Sequence, residues 1–142
     1  MARYLLDTNI IVYLITQDRE SVSKDVKCIL QDYENSFLIS METVKELIVA
    51  YRTKKLLSST FPTALQMVES LQRDYGIHVV QVDMEVMRSL ACLTINEAQE
   101  HNDPSDHIII AQAITMKVPL ISSDHKFPFY RKQGLDLIYN EK

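Results

Sequence analysis

Short apolar runs alternate with amphipathic stretches along this chain, and the alternation predicts strands interleaved with helices. Residues 3–6 read as a first strand, and the apolar stretch 9–15 as a short helix. Over residues 21–33, Val22, Val26, Ile29, Leu30 and Tyr33 fall at helical spacing, which predicts an amphipathic helix. Residues 37–39 form a second strand. Val44, Leu47, Ile48 and Tyr51 put an apolar stripe on a helix over 43–55; Leu65, Val68 and Leu71 put another on a helix over 63–75, which follows Pro62 and closes at Gly76. A third strand over 79–82, a helix over 84–95, a helix over 108–116 that is apolar on nearly every side, and short strands at 120–121 and 135–138 complete the pattern. The polar stretch 96–105 reads as a loop.

Strands separated by helices predict an α/β fold: a parallel sheet of four or five strands flanked by helices on both faces. At 142 residues and 46% hydrophobic content, the chain fits one domain over 1–142. It has no apolar run long enough for a bilayer and no charged-apolar-small cleavage pattern at its amino terminus, so a cytoplasmic protein without membrane contact is expected. Cys28 and Cys92 stand apart, outside any CxxC spacing, and read as small buried or half-buried apolar residues rather than zinc ligands. A net charge of −4 argues against indiscriminate nucleic-acid binding. Basic residues nevertheless bunch at Arg52, Lys54 and Lys55 and at Lys126, Arg131 and Lys132, either as solvated positions or to steer a substrate.

Candidate chemistry lies in the acids. Asp7 ends the first strand within Leu5-Leu6-Asp7-Thr8-Asn9, where open α/β sheets carry their sites, although alone it would be an ordinary helix cap. Glu46 follows the second strand, Asp103 and Asp106 open the helix before residue 113, and Asp124 follows the apolar run 119–123. If the strands are parallel neighbours these carboxylates converge, and such a cluster calls for a cation. Pro104 at a first helical position suits Asp103 as a cap. Periodicity alone makes Glu46, like Glu42, a solvated charge, because both project away from the apolar stripe of their helix. His101, His107 and His125 lie near acids without H-x-x-x-H spacing, which favours solvated or phosphate-contacting roles over metal ligation, and His78 has only packing to do.

Leu6-Asp7-Thr8-Asn9, Ile39-Ser40 with Glu46-Leu47, Asp103-Pro-Ser-Asp106 with Ile110-Ala-Gln-Ala113, and Leu120-Ile-Ser-Ser-Asp124 with Phe127 together resemble the PIN-domain ribonucleases, and within them the VapC-type toxins of toxin–antitoxin pairs. The matches keep the family's order and separations over residues 3–127. The resemblance implies Asp7 and Asp106 as direct ligands of Mg²⁺ or Mn²⁺, with Glu46 and Asp124 completing the pocket directly or through water. Asp103 would support them or hold a second ion; Asn9, Ser40 and Ser122 would support the pocket or cap local ends. The family often carries Arg where His107 stands. The implied activity is metal-dependent hydrolysis of RNA phosphodiester bonds, in the toxin of a type II module. Such a toxin forms a homodimer and holds an antitoxin segment along a groove, here between the helices over 43–55 and 63–75, whose stripes can equally be buried in the fold. Other readings stay open: a PIN-fold nuclease that is not a toxin, a phosphatase-like domain with Asp7 as covalent nucleophile, and a non-catalytic binding module. The phosphatase pattern usually has a second acid where this chain has Asn9, and a binding module would have lost acids that are all present.

Overall fold

The computed structural model describes residues 2–141, apart from the side chain of Lys55. The two ends of the expected 1–142 domain, and Lys55 as a steering charge, lie outside the described residues. Strands β1 (Arg3–Leu6), β2 (Ser36–Ser40), β3 (His78–Val80), β4 (Leu120–Ser122) and β5 (Leu137–Tyr139) form one sheet in the order β3-β2-β1-β4-β5. All its pairs are parallel, as the alternation predicts. Side chains alternate across a strand, so Leu5, Leu38 and Leu120 enter one buried cluster while their chain neighbours Leu6, Ile39 and Ile121 enter another.

The second of these clusters is covered by α1 (Thr8–Ile15), α2 (Lys24–Gln31), α3 (Met41–Thr53) and α5 (Ala64–Arg73), through Ile10, Val26, Leu47, Met67 and Leu71. On the opposite face lie α7 (Pro104–Met116) and a 3₁₀ helix over Phe127–Gln133, through Ile109, Ile110, Phe127 and Tyr130. Helix α6 (Met84–Cys92) packs on the outer side of α7, which explains why α7 is apolar nearly all round. No helix among the described residues is long and apolar enough to cross a membrane.

Several boundaries depart from the pattern, each for a local reason. Ser40 ends β2 and caps α3 by accepting a hydrogen bond from the Glu42 N–H, so the helix starts ahead of its apolar stripe. Lys54 is extended, which separates a short helix α4 (Lys55–Thr60) from the expected 43–55 segment. Asp103 caps α7 with Pro104 at its start, as its sequence suits it to do, so the helix begins ahead of the first isoleucine. On α5, Met67, Ser70 and Leu71 are buried and Leu65 is exposed, because Leu65 stands two residues from Met67 and so on the far side of the helix. The expectation that Cys28 and Cys92 are buried is corrected for the same reason. Both are exposed: Cys28 stands two residues from the buried Val26, and Cys92 lies off the face that carries Val86. His78 opens β3 but is exposed, so packing does not account for it either.

Candidate metal centre

The strand order reverses at β1 and β4: the chain moves from β1 out through β2 to β3, then returns to place β4 on the other side of β1. Open sheets form a crevice beyond the carboxyl ends of their strands at such a point. Asp7 stands at the end of β1 and is almost wholly buried. Its Oδ1 accepts a hydrogen bond from the Thr8 N–H at 2.8 Å, capping α1. Its Oδ2 accepts from the Ser122 hydroxyl at 2.7 Å, and the Ser122 Oγ in turn accepts from the Asp124 N–H at 3.0 Å. The parallel register that pairs Leu6 with Ile121 brings these two strand ends side by side.

Glu46 departs from what periodicity alone suggests. It is half-buried, and its Oε1 accepts a hydrogen bond from the Thr8 hydroxyl. Helix α3 buries Thr43, Val44 and Leu47, and Glu46 sits one turn from Thr43, on the flank that borders α1 rather than in open water. Glu42 also has partners. Its Oε2 accepts from the Ser105 hydroxyl at 2.6 Å and pairs with Lys45, which ties α3 to the first turn of α7. Burial raises the Glu42 carboxyl, but the bonds from Lys45 and Ser105 outweigh that and hold it below the ordinary glutamate range.

Asp106 comes in on that first turn of α7, half-buried, with Oδ2 3.0 Å from Nε2 of His101. Asp103 caps α7 through the Ser105 N–H and is exposed at the rim. Asp124 is half-buried, and its Oδ1 accepts from the Lys126 N–H. Asp7, Glu46, Asp103, Asp106 and Asp124, with Asn9, line one open cleft of about 650 Å³. Asn9 also accepts a long hydrogen bond from the Ser123 N–H. Ser122 lies behind the cleft as the direct partner of Asp7, whereas Ser40 is a buried helix cap that does not line it.

Of the histidines, His125 is exposed and His107 is half-buried, donating to the backbone carbonyl of His101. A solvated His101 is corrected: it is buried, held between the Tyr130 hydroxyl and Asp106. One ligand atom each from His101, Asp106 and Asp124 lies within 4.8 Å of the other two. Sequence spacing hides this group, since Asp124 is 23 positions from His101 (124 − 101). Thr8, inside the quoted motif, is a second residue whose part emerges only in three dimensions.

Crowding of acids has a measurable cost. Burial first, and then the charges of Asp106 and Glu46, push the Asp7 carboxyl up to about 7 against the pull of Ser122 and Thr8. Asp106 is also pushed up to about 7, by burial and then by Asp103, Asp124 and Glu46. Burial likewise raises Glu46, with the Thr8 bond opposing. A divalent cation fits this all-oxygen donor set: carboxylates are the ligands a hard ion takes, and its charge would relieve the repulsion that now favours their neutral forms.

Among solved structures, the fold is similar to VapBC2 from Rickettsia felis bound to a promoter DNA fragment, with a TM-score of 0.71 and 19% identity over 98% of this chain and 99% of that one. It is similar to VapBC-1 from nontypeable Haemophilus influenzae, with a TM-score of 0.70 and 21% identity over 99% of each chain. VapBC-5 of Mycobacterium tuberculosis, a toxin–antitoxin system, gives a TM-score of 0.60 and 19% identity over 98% of this chain and 99% of that one. No curated protein sequence matches the chain closely enough to stand as a relative. The family model described as PIN domain matches residues 4–134 and so takes in both strand ends and every acid of the cleft; the chain belongs to the PIN domain family.

Proposed function

We propose that this protein is a metal-dependent endoribonuclease that hydrolyses RNA phosphodiester bonds, acting in the cytoplasm as the toxin of a type II toxin–antitoxin module. The observation that carries the reading is the convergence of Asp7, Glu46, Asp106 and Asp124 on one cleft at the switch point of a PIN-domain sheet. Asp7 and Asp106 are the direct ligands of Mg²⁺ or Mn²⁺, and Glu46 and Asp124 complete the coordination directly or through water. A divalent ion held there supplies Lewis acidity toward a phosphate oxygen and lowers the pKa of a water. The protein's own groups do the positioning. Ser122 and the Thr8 N–H fix both oxygens of Asp7, and the Thr8 hydroxyl fixes Glu46. Lys45 and Lys54 at the edge of the cleft provide cations for flanking phosphates.

The same cleft suits an antitoxin. Its wall beyond the acids is apolar, formed by Val12, Val49, Leu56 and Leu57, with Val49 and Leu56 well exposed. Val44, Leu47 and Leu71 are buried in the core, the alternative to an interface for these stripes, whereas Leu65 stays exposed. The docking surface proposed is therefore this wall beside the acids, together with a homodimer of the chain. The structural neighbours include VapBC assemblies, which supports a partner of that kind.

The test is cleavage of labelled RNA by purified protein, with chelator and with Mg²⁺ or Mn²⁺ restored. Expected are cleavage only with metal, and a block when an antitoxin, sought in the neighbouring open reading frame, is added. Equal cleavage in chelator, or none with either ion, would overturn the reading.

A further inference from the structure

The buried histidine beside the acids has no part in the scheme above. His101 sits in the segment before α7, about 1% exposed, with both ring nitrogens engaged: Nδ1 lies 2.8 Å from the Tyr130 hydroxyl, and Nε2 lies 3.0 Å from Asp106 Oδ2. The proton positions follow from the partners. The Asn96 N–H donates to the Tyr130 oxygen at 3.1 Å, so the hydroxyl hydrogen is free to point at Nδ1. With a cation keeping Asp106 ionised, Nδ1 then accepts, Nε2 carries the ring proton and Asp106 receives it. His101 is further fixed by His107, whose Nε2–H donates to its backbone carbonyl at 2.8 Å, and by ring contacts with Tyr130 and Phe127.

We propose that His101 is a positioning residue for the metal centre: held by Tyr130 in its Nε2–H form, it binds Asp106 Oδ2 and presents the other oxygen, Oδ1, to the cation. This inference rests on the metal-centre reading. Among the described residues, Oδ1 has no hydrogen-bond partner of its own. A carboxylate on a helix first turn can rotate about its side-chain torsions, and a bond to one oxygen sets the direction of the other. Outer partners of this kind typically change metal affinity about 10–100-fold when removed. The arrangement also argues against His101 as a direct ligand, since coordination through Nε2 would need the nitrogen that carries the proton.

Mn²⁺ binding, followed by the loss of free-ion EPR signal on titration, is the readout, with thermal melts to confirm folding. The proteins are wild type, H101Q, H101L, Y130F and, as reference, D106N. H101Q keeps an N–H near the Nε2 position, whereas H101L keeps bulk without a donor. Expected are a weakening of at least about 10-fold in H101L, recovery to within about threefold of wild type in H101Q, and an intermediate loss in Y130F, which frees Nδ1 without removing the ring. Long-range ¹H–¹⁵N spectra of wild type with saturating Mg²⁺ at pH 8 should show a protonated Nε2 and a bare Nδ1, and need no variant that must fold. A bare Nε2, or a folded H101L with wild-type affinity, or H101Q no better than H101L, would overturn the proposal. If wild type binds no Mn²⁺, or D106N binds as well as wild type, the metal-centre reading fails first. If D106N loses binding and H101L does not, only the role of His101 fails.

Discussion

Asp7 carries three demands at once: it ends a strand, caps a helix and stands buried among other acids. Replacing it by Asn keeps a capping oxygen and removes the charge. Asp7→Asn should therefore cut RNA cleavage by about 100-fold or more, the upper end of what even outer partners of a metal are worth. The same change should stabilise the metal-free protein at pH 8 by about 1–2 kcal/mol, or roughly 3–8 °C in Tm, because no buried charge is left without a counter-ion. Paired cleavage assays and melts in chelator test both halves; a variant less stable than wild type would show that the charge is not a burden. Ser122→Ala should act more gently. It removes the bond that opposes burial at Asp7 and the partner of the Asp124 N–H, so Mn²⁺ affinity should fall about 10-fold, measured by the same titration. The aspartates were legible from sequence because each sits at a strand end or a helix start, where local context narrows the options. Glu46 was not. Its helix stripe points it away from the core, and only the neighbouring Thr8 shows that away from the core means into the cleft.

At the scale of elements, strands and helices were readable in kind and order because apolar spacing is a local property. Their ends were read less evenly, because caps decide them: Ser40 starts α3 ahead of its apolar stripe by accepting a backbone N–H, whereas the Asp103 cap before Pro104 and the start at Thr63 were legible. Helix α4 was invisible, since a single extended residue at Lys54 interrupts what periodicity joins. Another end was readable through glycine. Gly76, after α5, takes φ +63° and sends the chain into β3, with the Ile77 N–H bonded back to the Leu71 carbonyl. A Cβ there meets nothing within 4 Å, so the cost of Gly76→Ala is backbone strain alone, about 1 kcal/mol. Thermal melts should show a drop of roughly 3–4 °C with RNA cleavage at 25 °C unchanged. A drop in cleavage without a drop in Tm would tie this turn to the cleft.

For the whole molecule, the raised carboxyls set how stability follows pH. Asp7 and Asp106 bind protons more readily when folded, both near 7 against an ordinary 3.8. Between those values the folded chain holds protons that the unfolded chain has lost, so metal-free stability falls as pH rises and levels off above about 8. Saturating Mn²⁺ should reverse the trend, since it binds the ionised carboxylates and stabilises more as they deprotonate. Melts from pH 5 to 8, in chelator and in Mn²⁺, should therefore diverge with rising pH; parallel curves would remove the cation from the picture.

The central strand of the sheet is also the first to be made. β1 lies between β2 and β4, and the hydrogen bond from Ser122 to Asp7 joins residues 115 positions apart. At about 5–20 residues per second, Asp7 is synthesised roughly 6–23 s before Asp124. Throughout that interval one side of β1 has no neighbour, and Asp7 has neither its serine nor the acid beside it. A nascent chain can therefore form its first β–α units without having a pocket, and any chain that stops short of β4 carries the Asp7 motif with no centre built around it. The centre thus exists only once both β1 and β4 have been made, however early the Asp7 motif folds.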